Sequence, residues 1–162
     1  MAPAEPRPLG LEEARAWRQD LRLLGHRLVF TNGVFDLIHA GHAAYLAQAR
    51  ACGDALLVGL NSDVSARGLG KGAERPLVPQ ADRALVVLAL RAVDAVVLFD
   101  EPTPLELILA LQPDVLAKGA DYGLEQIVGA REVLGWGGSV ERIPLLPGRS
   151  TTALVERIRR GG

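Results

Sequence analysis

The chain has 162 residues, 18 basic and 19 acidic side chains and a net charge of −1, with 49% hydrophobic and 23% charged residues. That length suits one domain burying roughly 70% of its unfolded surface, and the mixture is that of a globular protein rather than a disordered one. A charge near zero gives no general pull towards nucleic acid or an anionic membrane, and a single cysteine, Cys52, excludes an internal disulfide and a cysteine-built zinc site. The expected partners are therefore small molecules, with neither nucleic acid nor membrane among them, and a reducing cytoplasm fits the cysteine usage. Any anion site must be local. Lys71 and Lys118 are the only lysines, which draws attention to both.

Residues 1–10, with three prolines in the first eight, predict a flexible tail before a single domain over 11–162. Leu11, Ala14, Trp17, Leu21 and Leu24 recur at helical spacing up to Gly25. Leu28 to Thr31 is a short apolar run that predicts a buried strand, Asn32-Gly33 a turn, and Gly41 to Arg50 a helix. Ala55 to Leu60 predicts a second strand. Ser65 to Pro79, with three glycines and two prolines, predicts a flexible loop carrying Arg67, Lys71 and Arg75. A helix over Ala81–Leu90 and a strand over Val93–Phe99 follow, then a helix over Thr103–Leu111 with Pro104 at a favoured early position. Asp114–Ala117 predicts a fourth strand and Leu124–Leu134 a helix interrupted by Gly129. Ser139–Ile143 predicts a fifth strand, and Ser150-Thr151-Thr152 caps a last helix to about Arg160.

Strand and helix alternate throughout. That predicts an α/β, Rossmann-like domain with a parallel five-stranded sheet and helices on both faces. Ligands of such sheets sit beyond the carboxyl ends of the strands, where His39, Asn61, Lys118 and the loop before Ser150 fall. His39 and His42 flank Gly41 at a helix start, beside unpaired backbone N–H groups and the positive end of the helix dipole. This suits a phosphate chain, although two histidines so placed can also simply cap the helix. With no third His or Cys nearby, a zinc site is disfavoured. Lys71 can fold over phosphates as a lid or remain a solvated loop charge. Lys118 ends a buried strand, where a charge is costly unless used. Arg83 opposes the dipole of its helix, which an anion would offset. Asn61 can bond a loop or a ligand hydroxyl, and Asp36 is a nearby carboxylate or a turn stabiliser. Asp121 and Tyr122 can shape a sugar or base pocket. Cys52, Trp17 and Trp136 are expected to pack.

Thr31-Asn-Gly-Val-Phe-Asp-Leu-Ile-His-Ala-Gly-His42 resembles the H-x-G-H signature of the cytidylyltransferase-like nucleotidyltransferases, and Ser150-Thr-Thr152 resembles their second, Ser/Thr-rich signature. From about Leu11 to Arg160 the chain is more closely similar to the D-glycero-β-D-manno-heptose 1-phosphate adenylyltransferases. The matches include Asn61-Ser-Asp63, Arg75-Pro76, Arg83 with Leu88-Ala-Leu90, Pro113-Asp-Val-Leu116, Lys118-Gly-Ala-Asp-Tyr122 and Gly148-Arg-Ser-Thr-Thr152. Val34 and Ala120 depart from the expected cysteine and glycine. The resemblance implies catalytic roles for His39, His42 and Lys118. It implies nucleotide-binding roles for Thr31, Asn32, Gly33, Phe35, Asp36, Gly41, Asn61, Lys71, Arg83, Ser150, Thr151 and Thr152. It further implies ATP as substrate, Mg²⁺ travelling with it, a homo-oligomer, and a separate sugar kinase upstream.

The implied chemistry is attack by a substrate phosphate oxygen on the α-phosphorus of ATP, expelling pyrophosphate. A phosphate nucleophile is already deprotonated, so positioning and charge stabilisation replace a general base. A cytidylyltransferase acting on glycerol 3-phosphate or another small phosphate ester shares much of this framework. A non-catalytic nucleotide-binding module is a further alternative. A dinucleotide-dependent oxidoreductase is disfavoured, because the turn after the first strand lacks G-x-G-x-x-G.

Overall fold

The computed structural model describes residues 6–161. Two continuous apolar runs form the centre of the sheet: β1, Leu28–Gly33, and β2, Ala55–Asn61, every residue of which is buried. Strands β3 (Ala95–Phe99), β4 (Val115–Gly119) and β5 (Ser139–Ile143) complete a five-stranded sheet of order β3-β2-β1-β4-β5, with every pairing parallel. Strands buried on both faces need apolar side chains at consecutive positions, which is why these runs do not alternate with polar residues.

The two faces carry separate cores. Leu28, Phe30, Leu57 and Leu116 pack with α1 (Leu11–Leu23), α5 (Leu105–Leu111) and α6 (Ala130–Gly135). Val29, Leu56, Val58 and Val115 pack on the opposite face with α2 (Ala40–Arg50) and α4 (Gln80–Leu88). Neighbours in a strand point to opposite faces, so each run feeds both layers. Helix α7, Thr151–Arg159, closes the chain. Of the expected tail, residues 1–5 lie outside the described residues, whereas Leu9 packs on the first core and donates its N–H to Val96 O at 2.8 Å on edge strand β3. Among the described residues no helix is long and apolar enough to cross a membrane.

Two expectations need correction. The loop predicted from Ser65 begins later, because Asp63–Gly68 forms α3, capped by Ser62 Oγ accepting from Ser65 N–H, with Ser65 and Ala66 buried. The single helix expected over Leu124–Leu134 is two pieces, a 3₁₀ turn at Leu124–Gln126 and then α6. Gly129 separates them with φ at +83°, and a β-carbon there would lie 2.7 Å from Ile108 Cδ1. Both the backbone conformation and the close approach require glycine. Replacing Gly129 with alanine is expected to destabilise the fold by about 1–3 kcal/mol, measured as a lowered urea midpoint with an unchanged slope.

Candidate active site

Strand β1 pairs with β2 on one side and β4 on the other, so the chain direction of the crossovers reverses between β1 and β4. A cleft opens at the carboxyl ends of these two strands, the place where open parallel sheets leave room for a ligand. Its volume is about 380 Å³, within the range of small-ligand sites. Asn32 and Gly33 from β1, His39, Gly41 and His42 from the start of α2, Lys118 from β4, and Ser150, Thr151 and Thr152 from α7 all line it.

The loop between β1 and α2 is held in an unusual shape. Phe35 and Leu37 have φ at +50° and +47°, a left-handed conformation that costs non-glycine residues free energy and persists only where neighbours enforce it. Asp36, between them, does the enforcing. Its buried carboxylate accepts Leu77 N–H at 2.7 Å and Val78 N–H at 3.0 Å, with Arg75 at 3.7 Å, while its backbone oxygen accepts Thr151 Oγ1–H at 2.8 Å. One residue thereby joins the motif loop, the basic loop and the start of α7. Of the two readings of Asp36, the geometry favours the turn stabiliser.

His39 is the N-cap of α2, and its Nδ1 accepts Gly41 N–H at 3.0 Å. His42 Nδ1 accepts His39 N–H at 3.3 Å, and the rings lie 3.9 Å apart between centroids. The helix-capping reading of the pair is the one these contacts show, through both Nδ1 atoms. With Nδ1 an acceptor, a neutral imidazole carries its proton on Nε2, leaving an Nε2–H donor on each ring. Burial, and then the neighbouring His39, pushes His42 down to about 4. His39 is lowered as well, by burial and then by Arg149. Both rings are neutral at pH 7. A Gly41 side chain would strike the His39 ring at 2.8 Å, so the pairing of the rings with the helix start needs glycine there.

Lys118 bridges the two strands that flank the cleft. Its Nζ donates to Asn32 Oδ1 at 3.1 Å and to Asn32 O at 3.3 Å, and lies 5.2 Å from the centre of the Tyr122 ring. Burial, with Lys71 nearby, lowers Lys118 to about 8, so it is still mainly protonated at neutral pH. Ser150 caps α7, its Oγ accepting Ala153 N–H at 3.0 Å and keeping the hydroxyl proton to donate. Lys71 and Asp121 also line the cleft.

Three residues expected at the ligand lie elsewhere. Arg83 is 1% exposed, and its guanidinium donates to Val34 O, Asn61 O and Val78 O and pairs with Asp63 at 2.8 Å. An internal carboxylate and three carbonyls offset its charge, with no anionic ligand needed. Asn61 is 3% exposed and donates Nδ2–H to Ser65 Oγ at 2.9 Å. Thr31 is fully buried, and its hydroxyl pairs with that of Tyr45 at 2.7 Å beneath the cleft. These three build the walls behind the site.

Conversely, Tyr45, Arg75 and Arg149 line the cleft without having been singled out as site residues. Each left a signal. Tyr45 follows His42 by three residues, hence the same helix face; Arg75 and Arg149 sit inside the matched segments Arg75-Pro76 and Gly148-Arg-Ser150. Phe35 packs its ring 5.4 Å from that of His42.

No group of three or more His, Cys, Asp or Glu residues among the described ones could hold a metal ion. Asp36 is already bonded to backbone N–H groups, leaving Asp121 as the other cleft carboxylate. This donor set fits a Mg²⁺ that arrives on a polyphosphate and keeps its waters, not one caged by the protein.

Comparison with known proteins agrees with this arrangement. The cytidylyltransferase-like family matches residues 30–157. The "Bifunctional protein HldE" of Acidiphilium cryptum is 56% identical over 153 residues, which is 94% of this chain and 30% of that protein. The chain spans about 30% of the length of the curated relatives it matches. A crystal structure of the lipopolysaccharide core biosynthesis protein from Thermoplasma volcanium superposes with a TM-score of 0.61 at 27% identity, covering 75% of this chain and 98% of that one. Pantoate-beta-alanine ligase from Francisella tularensis, complexed with Beta-gamma ATP and Beta-alanine, shares the fold at 15% identity, with a TM-score of 0.63 over 88% of this chain and 67% of its own. A parallel sheet with its H-x-G-H turn and Ser-Thr-Thr helix start at one switch point, matched over most of its length, makes the chain a nucleotidyltransferase domain that belongs to the cytidylyltransferase-like family.

Proposed function

We propose that the domain, over 11–162, transfers AMP from ATP to D-glycero-β-D-manno-heptose 1-phosphate, releasing pyrophosphate and ADP-heptose. The observation that carries the transfer chemistry is the histidine pair, with both Nδ1 atoms engaged by the helix start and both neutral rings lining the cleft. The sugar phosphate oxygen attacks the α-phosphorus as the bond to the bridging oxygen breaks, and the electron pair leaves on pyrophosphate. Nothing in this step needs a proton removed. His39 and His42 supply Nε2–H donors to the charge that develops, without changing protonation state. Lys118 supplies a fixed positive charge across the switch point, and the Ser150 hydroxyl donates to the departing phosphates. Lys71 folds in from the basic loop as the site closes. Mg²⁺ carried on the triphosphate would offset part of its charge.

The sugar and the base rest on the resemblance of the whole chain to heptose 1-phosphate adenylyltransferases. The names of the HldE relatives and of the lipopolysaccharide core biosynthesis protein lend support. The same reading places the domain in the cytoplasm as a homo-oligomer, with a sugar kinase supplying the phosphorylated substrate. Incubation with Mg²⁺ and either ATP plus heptose 1-phosphate or CTP plus glycerol 3-phosphate, followed by measurement of pyrophosphate, tests it. Release with the first pair is the expected result; release with the second pair alone overturns the choice.

The charge on Lys118 gives a pH signature. The ammonium is present below about 8 and lost above it. Because kcat/KM reports the free enzyme, it is expected to fall as pH rises through about 8. Lys118→Arg, which stays charged, should carry the plateau to higher pH even if the rate itself drops.

A further inference from the structure

Arg149 immediately precedes the capping Ser150 and lines the cleft. Gly148, with φ at +69°, turns the chain ahead of it. The Arg149 β-carbon lies 3.1 Å from where a Gly41 β-carbon would be, so the side chain starts against the first turn of α2, beside His39. The Thr151 hydroxyl bond to Asp36 O holds this part of the loop on the motif.

Arg18, Arg50 and Arg83 each pair with a carboxylate, whereas Arg149 is exposed and forms no ion pair or side-chain hydrogen bond among the described residues. Asp36, the nearest carboxylate of the motif loop, is bonded to two backbone N–H groups and faces Arg75. Along with burial, Arg149 contributes to holding His39 neutral. Two imidazole donors, a hydroxyl donor and a guanidinium without an ion pair among the described residues thus line one cleft. A planar fork of N–H donors is suited to bridging phosphate oxygens.

We propose that Arg149 is a catalytic residue that grips the β- and γ-phosphates of ATP and retains them as pyrophosphate departs. This rests on the nucleotidyl-transfer reading. When the bond between the α-phosphorus and the bridging oxygen breaks, the electron pair stays on that oxygen, and the added negative charge on pyrophosphate is what Arg149 meets. Lys118 stands on β4, at the Tyr122 side of the cleft, and serves the α-phosphate and the incoming phosphate.

The test uses the full chain and compares wild type with Arg149→Ala and Arg149→Lys. Calorimetry would measure binding of inorganic pyrophosphate and of ATP with Mg²⁺; the turnover assay would run alongside. Arg149→Ala is expected to weaken pyrophosphate binding by about 10–100-fold, with Lys restoring part of it because charge returns without the fork. The His39 imidazole, followed by NMR in the free protein, should titrate at higher pH in Arg149→Ala. A merely structural arginine would not produce that shift together with the affinity loss. Unchanged pyrophosphate affinity in Arg149→Ala overturns the proposal even if wild type turns over normally. Arg149-dependent binding without turnover of any acceptor sustains the arginine's role as a phosphate grip and overturns the transfer reading instead.

Discussion

Replacing His42 with alanine is expected to lower kcat for pyrophosphate release by about 10²–10³, the usual cost of one well-aimed donor to a charged transition state. The His42 ring is held by His39 N–H on one side and by the Phe35 ring on the other, so its Nε2–H is positioned before substrate arrives. Preorganisation of this kind favours the transition state over the bound ground state, which puts the loss in kcat more than in KM. A general acid or base would give an acidic limb near the ordinary imidazole range. Here His42 is neutral above about 4 in the free domain, so it should add no acidic limb to kcat/KM between about pH 5 and 7. Two results would contradict this account: a fall in activity across that interval that disappears in the His42→Ala enzyme, or an Ala variant that retains wild-type kcat.

Arg83→Met carries the largest expected loss of stability, about 3–5 kcal/mol. The methionine fills much of the volume but leaves Val34 O, Asn61 O and Val78 O without their donor and Asp63 without its cation. Asp63 keeps 25% of its side chain exposed, so water compensates part of that charge and the lower end of the range is favoured. Arg83→Lys should recover little, because a single ammonium cannot reach acceptors on Val34, Asn61, Asp63 and Val78 together. Urea unfolding monitored by far-UV circular dichroism measures the effect. An anion-binding arginine would behave in the opposite way, with an unchanged midpoint and a raised KM for ATP, and that outcome would return Arg83 to the ligand.

The contrast between His42 and Arg83 shows how far the site could be read from sequence. The histidines act through contacts two and three residues away, within one helix start, and local spacing is enough to place them. Arg83 acts through partners 5, 20, 22 and 49 residues away. Its position in the first turn of a helix suggested a ligand, since nothing local could show that Asp63 and the end of β2 fold onto it. Asn61 misled for the same reason. It does stand at the carboxyl edge of a strand, but β2 lies one strand removed from the switch point and its side chain turns to Ser65.

Apolar runs and their alternation with amphipathic stretches determined the class of fold, the number of strands and the capped helix start that carries His39 and His42. Those features follow from backbone geometry and burial over a few residues, which a sequence records directly. Strand order was left to the tertiary structure, and with it the decision that β1 and β4 are neighbours and that Lys118 reaches Asn32 across them. So was the joining of Asp36 to Thr151, 115 residues away. Such contacts depend on how the layers pack, and many pairings of five similar apolar strands satisfy the same local pattern. The chain names the donors of its cleft; only the tertiary structure brings them to one place.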